Sequence, residues 1–561
     1  MRRLRVLAIV IAIVSLGGTA WAYWGALGSG VGTAQTGALN PPTTVTVPAT
    51  STGTVHVTWT ASTGTPLPTG YRVTRVLDST DASAVACDGP VTGTACDDQS
   101  VPDGSYHYTV TAVYRSWTAT SAASSSVVVQ TPTQLAFTAQ PSTTTASSAI
   151  TPGVAVTVKD AAGAAVPAAG IQVAVALGTN PSDGTLSGTL TATTNSSGVA
   201  SFGNLSIDKA SVGYTLTASS GSLVGAISGS FTVTAAAAAR FVITSQPVSG
   251  TASTSATLGP ITVARQDAYG NPVNAPAGGA AVNLTSSSSG ARFAATSGGA
   301  AVSSITFPAG TSSTTFYYGD TTVGPPTITA SGALTSATQT ETITPAAATR
   351  LVFTTAPVSG TAAQTAVLGP ITVQTQDAFG NPVNAPVGGR TVNLASDSTG
   401  TKLFAASLNG PGITSVTIPA GSSSTTFFYG DTKAGTPTIT ASSTGLTNAS
   451  QLDTITAAAP GKLCLAPSSS LVCVAPLTLP KNATSSLYVV LHDQWENVAT
   501  ATSTITVTLS STNGTIPSGM TIAAGQSNGV FSFKPPNGSA TGIITATASP
   551  LTGVTVNYTA N

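Results

Sequence analysis

The side chains that most often carry out catalysis are scarce in this sequence. Only three histidines are present, His56, His107 and His492, and the first two occupy polar positions in segments where apolar and polar residues alternate. Serines are abundant everywhere, so a Ser-His-Asp triad has no specific support, and no G-x-S-x-G sequence stands at a strand-to-helix turn. We therefore expect that the chain is not an enzyme and has no catalytic residues.

The four cysteines fall into two local pairs, Cys87 with Cys96 and Cys464 with Cys473, and eight residues separate the members of each pair. This spacing predicts two intrachain disulfides, each stabilising a short loop by about 2 to 3 kcal/mol. Metal ligation is the alternative, but no Cys-x-x-Cys or His-x-His sequence accompanies either pair. We therefore predict disulfides, no metal site and no cofactor.

Four aspartates recur at equivalent positions of an internal repeat: Asp267, Asp320, Asp377 and Asp431. One hypothesis is that they bind calcium between domains. Calcium takes six or more oxygen ligands, usually from several neighbouring carboxylates, whereas each repeat offers one or two isolated aspartates. We therefore expect these side chains to cap turns through hydrogen bonds to their own backbone.

Aromatic side chains are the remaining candidates for ligand contact. The runs at 316–318 and 427–429 would line a sugar-binding face if exposed, but strand aromatics more often pack in a core or across strands. Tyr114 and Trp117 lie close together in a segment that reads as a loop, which makes them the better candidates for stacking on a glycan. Tryptophans are nevertheless more often buried, and we expect Trp117 to lie in a core.

The charge composition excludes several classes of partner. Only 6% of the residues are charged, and 18 basic residues balance 18 acidic ones, against roughly a quarter charged in an ordinary soluble protein. No long run of either sign appears, so the chain lacks the basic surface that binds nucleic acid or acidic lipid. The abundance of Val, Thr and Ile nevertheless predicts folded cores built on β-structure.

The N-terminus has the pattern of an export signal. Three arginines within the first five residues precede an apolar run, and Ala20 and Ala22 form an A-x-A cleavage site. This pattern predicts a signal peptide over residues 1–22 and a mature chain that begins at Tyr23. The alternative is an uncleaved anchor over residues 6–28, which would be the protein's only contact with a membrane. Both place the remaining chain outside the cytoplasm.

An internal repeat is the strongest pattern in the sequence. RFVITSQPVSGT begins at Arg240 and RLVFTTAPVSGT begins at Arg350, and both copies continue to GPITV and to GNPVNAP. Weaker copies begin near Leu135 and Lys462. Each copy alternates apolar and polar residues with period two, and its strands are separated by Gly, Pro, Asn and Ser. This is the pattern of an all-β protein made of tandem β-sandwiches.

The repeats define the predicted domains. We expect an N-terminal sandwich followed by four repeats joined by short Ala-rich segments, and therefore an elongated, monomeric array. The predicted boundaries are 41–131 for the first sandwich, then 132–236, 237–346, 347–457 and 458–561.

Two family resemblances follow from particular residues. The sequence DAYGNPV at 267–273, followed by VNL and a later TITAS, resembles the bacterial immunoglobulin-like repeats of the invasin and intimin type. The segment 41–131 resembles a fibronectin type III domain, with Trp59 as the core tryptophan and Tyr106 or Tyr108 as the corner tyrosine. The resemblances imply immunoglobulin-like sandwiches that serve as spacers or adhesive stalks.

These observations predict a non-enzymatic protein exported to the cell surface or the extracellular space. Its repeats would space or present a binding surface for a cell-surface glycan or protein ligand. The alternative is a polysaccharide- or cell-wall-binding module protein that accompanies secreted enzymes.

Overall fold

The structure is a computed structural model, and it describes residues 37–561. The predicted signal peptide, its cleavage site and the alternative anchor lie outside these residues. Residues 37–561 form strands, turns and bends but no helix, and accordingly no helix among them is long and apolar enough to cross a membrane. The protein is all-β and is built from tandem immunoglobulin-like and fibronectin-like sandwiches, as its sequence predicts.

The chain divides into two compact units, one ending at Thr234 and the other beginning at Ala235. The first unit contains two hydrophobic cores and the second contains three. We name the five sandwiches by order, as the N-terminal sandwich and repeats 1 to 4.

The N-terminal sandwich packs a large sheet against a smaller one. The large sheet runs in the order Thr50–Ser51, Val127–Val129, Gly104–Tyr114, Gly70–Leu77 and Ser83–Val91, and Trp117–Thr120 forms a hairpin with Gly104–Tyr114. The smaller sheet is Thr43–Thr46, Val55–Thr60 and Ala95–Asp98, and Ala38–Leu39 pairs with Gly64–Thr65. Alternation along Val55–Thr60 buries Val55, Val57 and Trp59 and leaves His56 exposed.

Repeat 1 completes the first unit with short strands. Its sheets are Gln134–Ala139, Val154–Lys159 and Val199–Phe202; then Thr191–Thr193, Gln172–Leu177, Leu216–Ser219 and Ala226–Ile227; then Thr144–Thr145, Phe231–Thr234 and Ser211–Tyr214; and the pair Leu186–Ser187 with Ser206–Ile207.

Repeats 2 and 3 have the same topology, as expected from their near-identical sequences. The first sheet of repeat 2 is Arg240–Ile243, Leu258–Gln266, Ser313–Asp320, Ala291–Ala294 and Ala301–Val302; the second is Ser304–Phe307, Ala280–Ser286, Thr327–Ser331 and Ala337–Thr340; and Ser249–Thr251 pairs with Thr342–Thr344. In repeat 3 the first sheet is Arg350–Phe353, Leu368–Gln376, Ser424–Asp431, Lys402–Ala405 and Gly412–Ile413. The second sheet is Ser415–Ile418, Arg390–Ser396, Thr438–Ser442 and Ala449–Leu452, and Ser359–Thr361 pairs with Thr454–Thr456.

Repeat 4 has longer terminal strands, which link its sheets edge to edge. Its strand order is Gly519–Ile522, Ile505–Ser511, Ala540–Ala548, Leu551–Ala560, Lys462–Ala466, Ser485–His492 and Asn528–Phe533, and Leu477–Leu479 pairs with Leu551–Ala560. The core of each repeat is filled by the inward-facing side chains of both sheets.

One pairing recurs in all five sandwiches. A short strand near the start of each sandwich lies parallel to its last strand, and we call this the terminal pair. The terminal pairs are Thr50–Ser51 with Val127–Val129, Thr144–Thr145 with Phe231–Thr234, Ser249–Thr251 with Thr342–Thr344, Ser359–Thr361 with Thr454–Thr456, and Leu477–Leu479 with Leu551–Ala560.

Candidate functional site: the joints between neighbouring repeats

The sequence Asp-x-x-Gly-Asn-Pro folds into a turn organised by one carboxylate. In repeat 3, Oδ1 of Asp377 accepts hydrogen bonds from the backbone N–H groups of Phe379 at 2.9 Å and Asn381 at 2.8 Å. Oδ2 accepts from Nδ2 of Asn381 at 2.8 Å and from the backbone N–H of Ala346, in the connecting segment, at 3.1 Å. We call this unit the Asp–Asn turn.

The same four hydrogen bonds occur in the flanking repeats. In repeat 4, Asp493 accepts them from Trp495, Asn497 and Ala458 at 2.8–3.0 Å. Repeat 2 repeats the arrangement around Asp267, with Tyr269, Asn271 and Ala236 as donors. Each carboxylate therefore ties the turn to the segment that precedes its own repeat.

The turn requires one residue in a left-handed conformation. Gly380 occupies that position with φ 91°, where a Cβ would be strained. In repeat 4 the residue is Glu496, with φ 68°. This is an uncommon conformation for a residue with a long side chain.

The Asp–Asn turn determines the charge state of its aspartate. Asp377 is fully buried, and burial raises the pKa of a carboxyl group by disfavouring its charge. The hydrogen bonds from the Asn381 side chain and from the three backbone N–H groups outweigh this effect, so the pKa of Asp377 lies below its ordinary value. The same balance lowers the pKa values of Asp267 and Asp493.

The number of hydrogen bonds that each turn carboxylate accepts bears on the calcium hypothesis. An ionised carboxylate offers about four lone-pair sites, and Asp267 and Asp377 each accept four hydrogen bonds. A calcium ion would have to displace these donors. The contacts agree with turn capping, which the sequence favours for both residues.

The asparagine of the turn also reaches the preceding repeat. Nδ2 of Asn381 donates to the backbone carbonyl of Thr321 at 2.7 Å, and its Oδ1 accepts from the backbone N–H of Val323 at 3.2 Å. Both partners belong to the loop that follows Ser313–Asp320 in repeat 2. One buried side chain therefore joins two repeats while completing the turn of its own repeat.

The loop in the preceding repeat is held by a second aspartate. Asp320 accepts hydrogen bonds from the Tyr318 hydroxyl, from the Ser288 hydroxyl at 2.9 Å and from the backbone N–H of Thr322 at 2.9 Å. Burial, followed by the hydrogen bond to Asp320, raises the pKa of Tyr318. Asp320 therefore orders the loop that Asn381 binds, which is a structural role different from calcium ligation.

The next joint, between repeats 3 and 4, has the same construction. Nδ2 of Asn497 donates to the carbonyl of Thr432 at 2.7 Å, and its Oδ1 accepts from the N–H of Ala434 at 2.8 Å. Asp431 binds the Tyr429 hydroxyl and the N–H of Lys433. Trp495 adds an apolar contact, because it packs against the core of repeat 3.

The first unit contains a reduced form of this joint. Oδ1 of Asp160 accepts from the N–H of Ala164 at 2.8 Å, as in a turn of the same kind. Its Oδ2 accepts from Nε2 of Gln130 at 3.2 Å, and Gln130 directly follows the last strand of the N-terminal sandwich. Here the carboxylate itself contacts the end of the preceding sandwich, and a glutamine supplies the donor.

The structure pairs the cysteines locally. Cys87 with Cys96 and Cys464 with Cys473 form disulfides, each with a Cα–Cα distance of 5.9 Å. The histidines are dispersed. Nδ1 of His56 lies 2.6 Å from Asp97, and Nδ1 of His107 lies 2.6 Å from Asp78.

His492 lies beside the second disulfide, an arrangement that the sequence analysis missed. Its Nε2 is 3.6 Å from Sγ of Cys464 and 3.4 Å from Sγ of Cys473, and its Nδ1 is 3.2 Å from Oε2 of Glu496. The hydrogen bond from Lys462 is the largest cause of a lowered pKa for Glu496. Glu496 is therefore an anion at neutral pH.

The predicted ligand-stacking residues form part of a hairpin. Trp117 lies opposite Tyr114 across a two-residue turn, Arg115-Ser116, and begins the strand Trp117–Thr120. The expectation of a loop here was wrong, because Trp117–Thr120 pairs with the end of Gly104–Tyr114 and continues the sheet. The expectation of core burial for Trp117 was also wrong, since 47% of its surface is exposed. The Arg115 guanidinium lies 5.5 Å from the centre of the Tyr114 ring.

The other aromatic candidates are interior residues. Phe316, Tyr318, Phe427 and Tyr429 are fully buried and line cores. Tyr317 and Phe428, which lie between them on the opposite face of the strand, are half-buried. In the N-terminal sandwich, Trp59 is buried, and its ring meets that of Tyr71 edge to face at 5.4 Å. The Tyr108 hydroxyl donates to Asp98 at 2.9 Å.

No family model and no curated protein matches this chain. Among solved structures, similarity to the S-layer protein rSbsC(31-844) covers 92% of this chain and 65% of that chain, with 16% identity and a TM-score of 0.20. The chain thus spans less than two thirds of that protein.

Two other solved structures are matched over most of this chain. Invasin, a bacterial integrin-binding protein, is matched over 76% of this chain and 79% of its own, at 18% identity and a TM-score of 0.28. The extracellular domain of protocadherin GammaB4 is matched over 93% of this chain and 84% of its own, at 11% identity and a TM-score of 0.25.

Replacing Asn381 by alanine tests the joint. We expect Asn381→Ala to accelerate amide hydrogen exchange in residues 321–323, because Val323 loses its acceptor and Thr321 its donor. Leaving such buried groups unpaired costs about 1 to 3 kcal/mol, which corresponds to roughly five- to hundredfold faster exchange. Asn448→Ala, at an exposed position of repeat 3, is the control. Equal exchange in the two variants would show that the asparagine does not hold the joint.

Proposed function

We propose that this chain is a non-enzymatic structural protein, exported to the cell surface or the extracellular space, whose tandem sandwiches transmit force and present a binding surface. The terminal pair is the observation that carries this proposal. Two local disulfides support an oxidising compartment. The charge composition supports a protein that meets neither nucleic acid nor acidic membrane surfaces.

The mechanical argument follows from strand direction. When the ends of a sandwich are pulled apart, a parallel pair formed by an early strand and the last strand is loaded along its length. All of its hydrogen bonds are then strained together, whereas a hairpin loaded at one end opens one bond at a time. In repeat 3 this pair aligns Gly360 with Ile455, and Thr454 also donates to the carbonyl of Val358 at 3.0 Å.

The joints extend this argument along the second unit. Force passes from one sandwich to the next through a connecting segment, and the Asp–Asn turn binds that segment to the repeat that follows it. Because Asn381 and Asn497 also bind the loops of the preceding repeats, each joint is supported by buried side chains as well as by the connecting backbone. Such joints suit a stalk better than they suit a flexible linker.

Single-molecule stretching of the full chain tests the proposal. We expect a separate unfolding event for each sandwich. For repeat 3, roughly 110 residues at 3.3–3.6 Å each extend to about 360–400 Å, and the expected length gain is this value less the end-to-end length of the folded sandwich. Thr454→Pro removes the N–H that Thr454 donates to Val358. We expect it to lower the unfolding force of one event and to leave the others unchanged.

A second proline variant is the matched control. Thr444→Pro lies in the exposed turn in which Leu446 donates to Ser443 and Gly445 has φ 79°, and a proline is favoured at that position of such a turn. We expect this variant to unfold at the wild-type force. If the two variants behave alike, or if the chain extends without resolved events, the proposal that the terminal pair resists the applied force is wrong.

Glycan binding is the second candidate, and the exposed hairpin at Trp117 favours it. A tryptophan with 47% of its surface in solvent, next to a tyrosine covered by an arginine, is suited to stacking on a sugar ring. This candidate extends the stalk proposal, since the hairpin would be the presented surface.

A pull-down with insoluble cell-wall polysaccharide tests this candidate. We expect Trp117→Ala to weaken binding of the full chain about five- to tenfold, as the loss of about 1 kcal/mol of stacking implies. The control is Leu67→Ala, which removes another exposed apolar side chain of the same sandwich. Equal retention of both variants, or no retention of the wild type, would eliminate the hairpin as a glycan site.

A further inference from the structure

Repeat 4 carries a set of substitutions that meet at one place. Where repeats 2 and 3 have Val242 and Val352, repeat 4 has Cys464, and where they have Gln266 and Gln376, it has His492. Glu496 replaces the turn glycine, and the loop 467–476 adds Cys473. Three substitutions and one residue of an added loop thus bring four reactive or charged side chains together on one surface of repeat 4.

The resulting cluster has the composition and size of a metal site. One ligand atom each from Cys464, Cys473 and His492 lies within 4.8 Å of the other two. Two thiolates and an imidazole are ligands that a thiophilic ion such as Zn²⁺ takes in proteins.

The distances to the imidazole agree with those that zinc would impose. A tetrahedral zinc with bonds of about 2.3 Å to sulfur and about 2.0–2.1 Å to nitrogen separates sulfur from nitrogen by about 3.5 Å. The two Sγ–Nε2 distances are 3.6 and 3.4 Å. The imidazole therefore needs little movement to bind an ion placed between it and the sulfurs.

The surrounding residues orient the imidazole as a ligand. The carboxylate of Glu496 accepts from Nδ1 of His492, which leaves the lone pair of Nε2 directed at the sulfurs. A carboxylate behind a metal-binding histidine is the usual means of fixing its tautomer and raising its basicity. Lys462 forms an ion pair with the same carboxylate, so the position of Glu496 is itself held.

The carboxylate is placed there by an unfavourable backbone conformation. Glu496 has φ 68° at a position where both well-conserved copies of the turn use glycine. A residue held in this region costs about 1 kcal/mol or more and is often found at functional sites. The turn itself does not require a glutamate at this position, since repeats 2 and 3 form it with glycine. The contact with His492 explains why a strained glutamate is present.

We propose that repeat 4 contains a redox-controlled site for a thiophilic metal ion, with Cys464, Cys473 and His492 as ligands and Glu496 as the residue that positions the histidine. In the oxidised chain the two sulfurs are joined and the site is closed. A dithiol opens it by thiol–disulfide exchange, becoming a disulfide while its two protons pass to Cys464 and Cys473. Zinc then displaces those two protons and binds both thiolates.

The geometry also predicts how the ion is reached and coordinated. Cys473 lies in the loop 467–476 between the exposed residues Val472 and Val474, so a small reductant and the ion both have access. Three protein ligands leave the fourth position of a tetrahedral zinc to water. Within residues 37–561, no histidine and no carboxylate forms a comparable cluster with the other disulfide, Cys87–Cys96.

Zinc binding by the full chain, with and without reduction by a water-soluble phosphine, tests the proposal. We expect one zinc ion per reduced chain and none per oxidised chain, measured by equilibrium dialysis and metal analysis. Cobalt in place of zinc should give the thiolate charge-transfer and visible absorption of a tetrahedral site. Cys87→Ser with Cys96→Ser should leave both results unchanged.

Glu496→Gly and His492→Gln introduce the residues that repeats 2 and 3 have at the equivalent positions. We therefore expect both variants to fold. Glu496→Gly should weaken zinc binding about 10- to 100-fold, the effect of losing an outer carboxylate, while removing backbone strain. His492→Gln should weaken it further. The proposal is wrong if the reduced chain takes up no zinc, if His492→Gln binds as tightly as the wild type, or if binding is lost with Cys87 and Cys96.

Discussion

The second unit depends on a buried carboxylate that accepts four hydrogen bonds. Asp377 accepts hydrogen bonds from its own turn, from the side chain of an asparagine and from the connecting segment. These hydrogen bonds offset the free-energy cost of removing the carboxylate from water. A neutral side chain in this place would lack the acceptor strength to hold all four. Because the asparagine is fixed by the aspartate, the contact with the preceding repeat is a consequence of the turn.

The sandwiches and the joints are stabilised by different kinds of interaction. Each sandwich is stabilised by apolar residues from two sheets, and its buried aromatic pairs, such as Phe404 with Phe427 at 5.9 Å, lie within a single repeat. The joints are held by hydrogen bonds from Asn381 and Asn497, and Trp495 adds an apolar contact with the core of repeat 3. Separate cores with hydrogen-bonded joints allow repeats to be added or exchanged without redesigning a shared interior.

Local features of the fold were predictable from the sequence, and long-range contacts were not. Period-two alternation, the turn at Asp377 and the pairing of nearby cysteines all depend on residues close in the chain. The second role of Asn381 depends on a loop of the preceding repeat, 60 residues earlier, although its recurrence after the turn glycine was a usable signal. His492 is brought to Cys464 by strand register across 28 residues, and Trp117 is exposed because a tight turn continues the sheet.

The pH dependence of stability in Asp377→Asn tests the central claim most directly. The pKa of Asp377 is lowered in the folded chain, so its stabilisation is present above the unfolded pKa and is lost as pH falls through the folded pKa. Peptide-level hydrogen exchange should show repeat 3 destabilised by at least about 2 kcal/mol at neutral pH, with the difference from wild type narrowing below about pH 4. A difference independent of pH, or one that appears only with calcium and disappears with a chelator, would contradict the account.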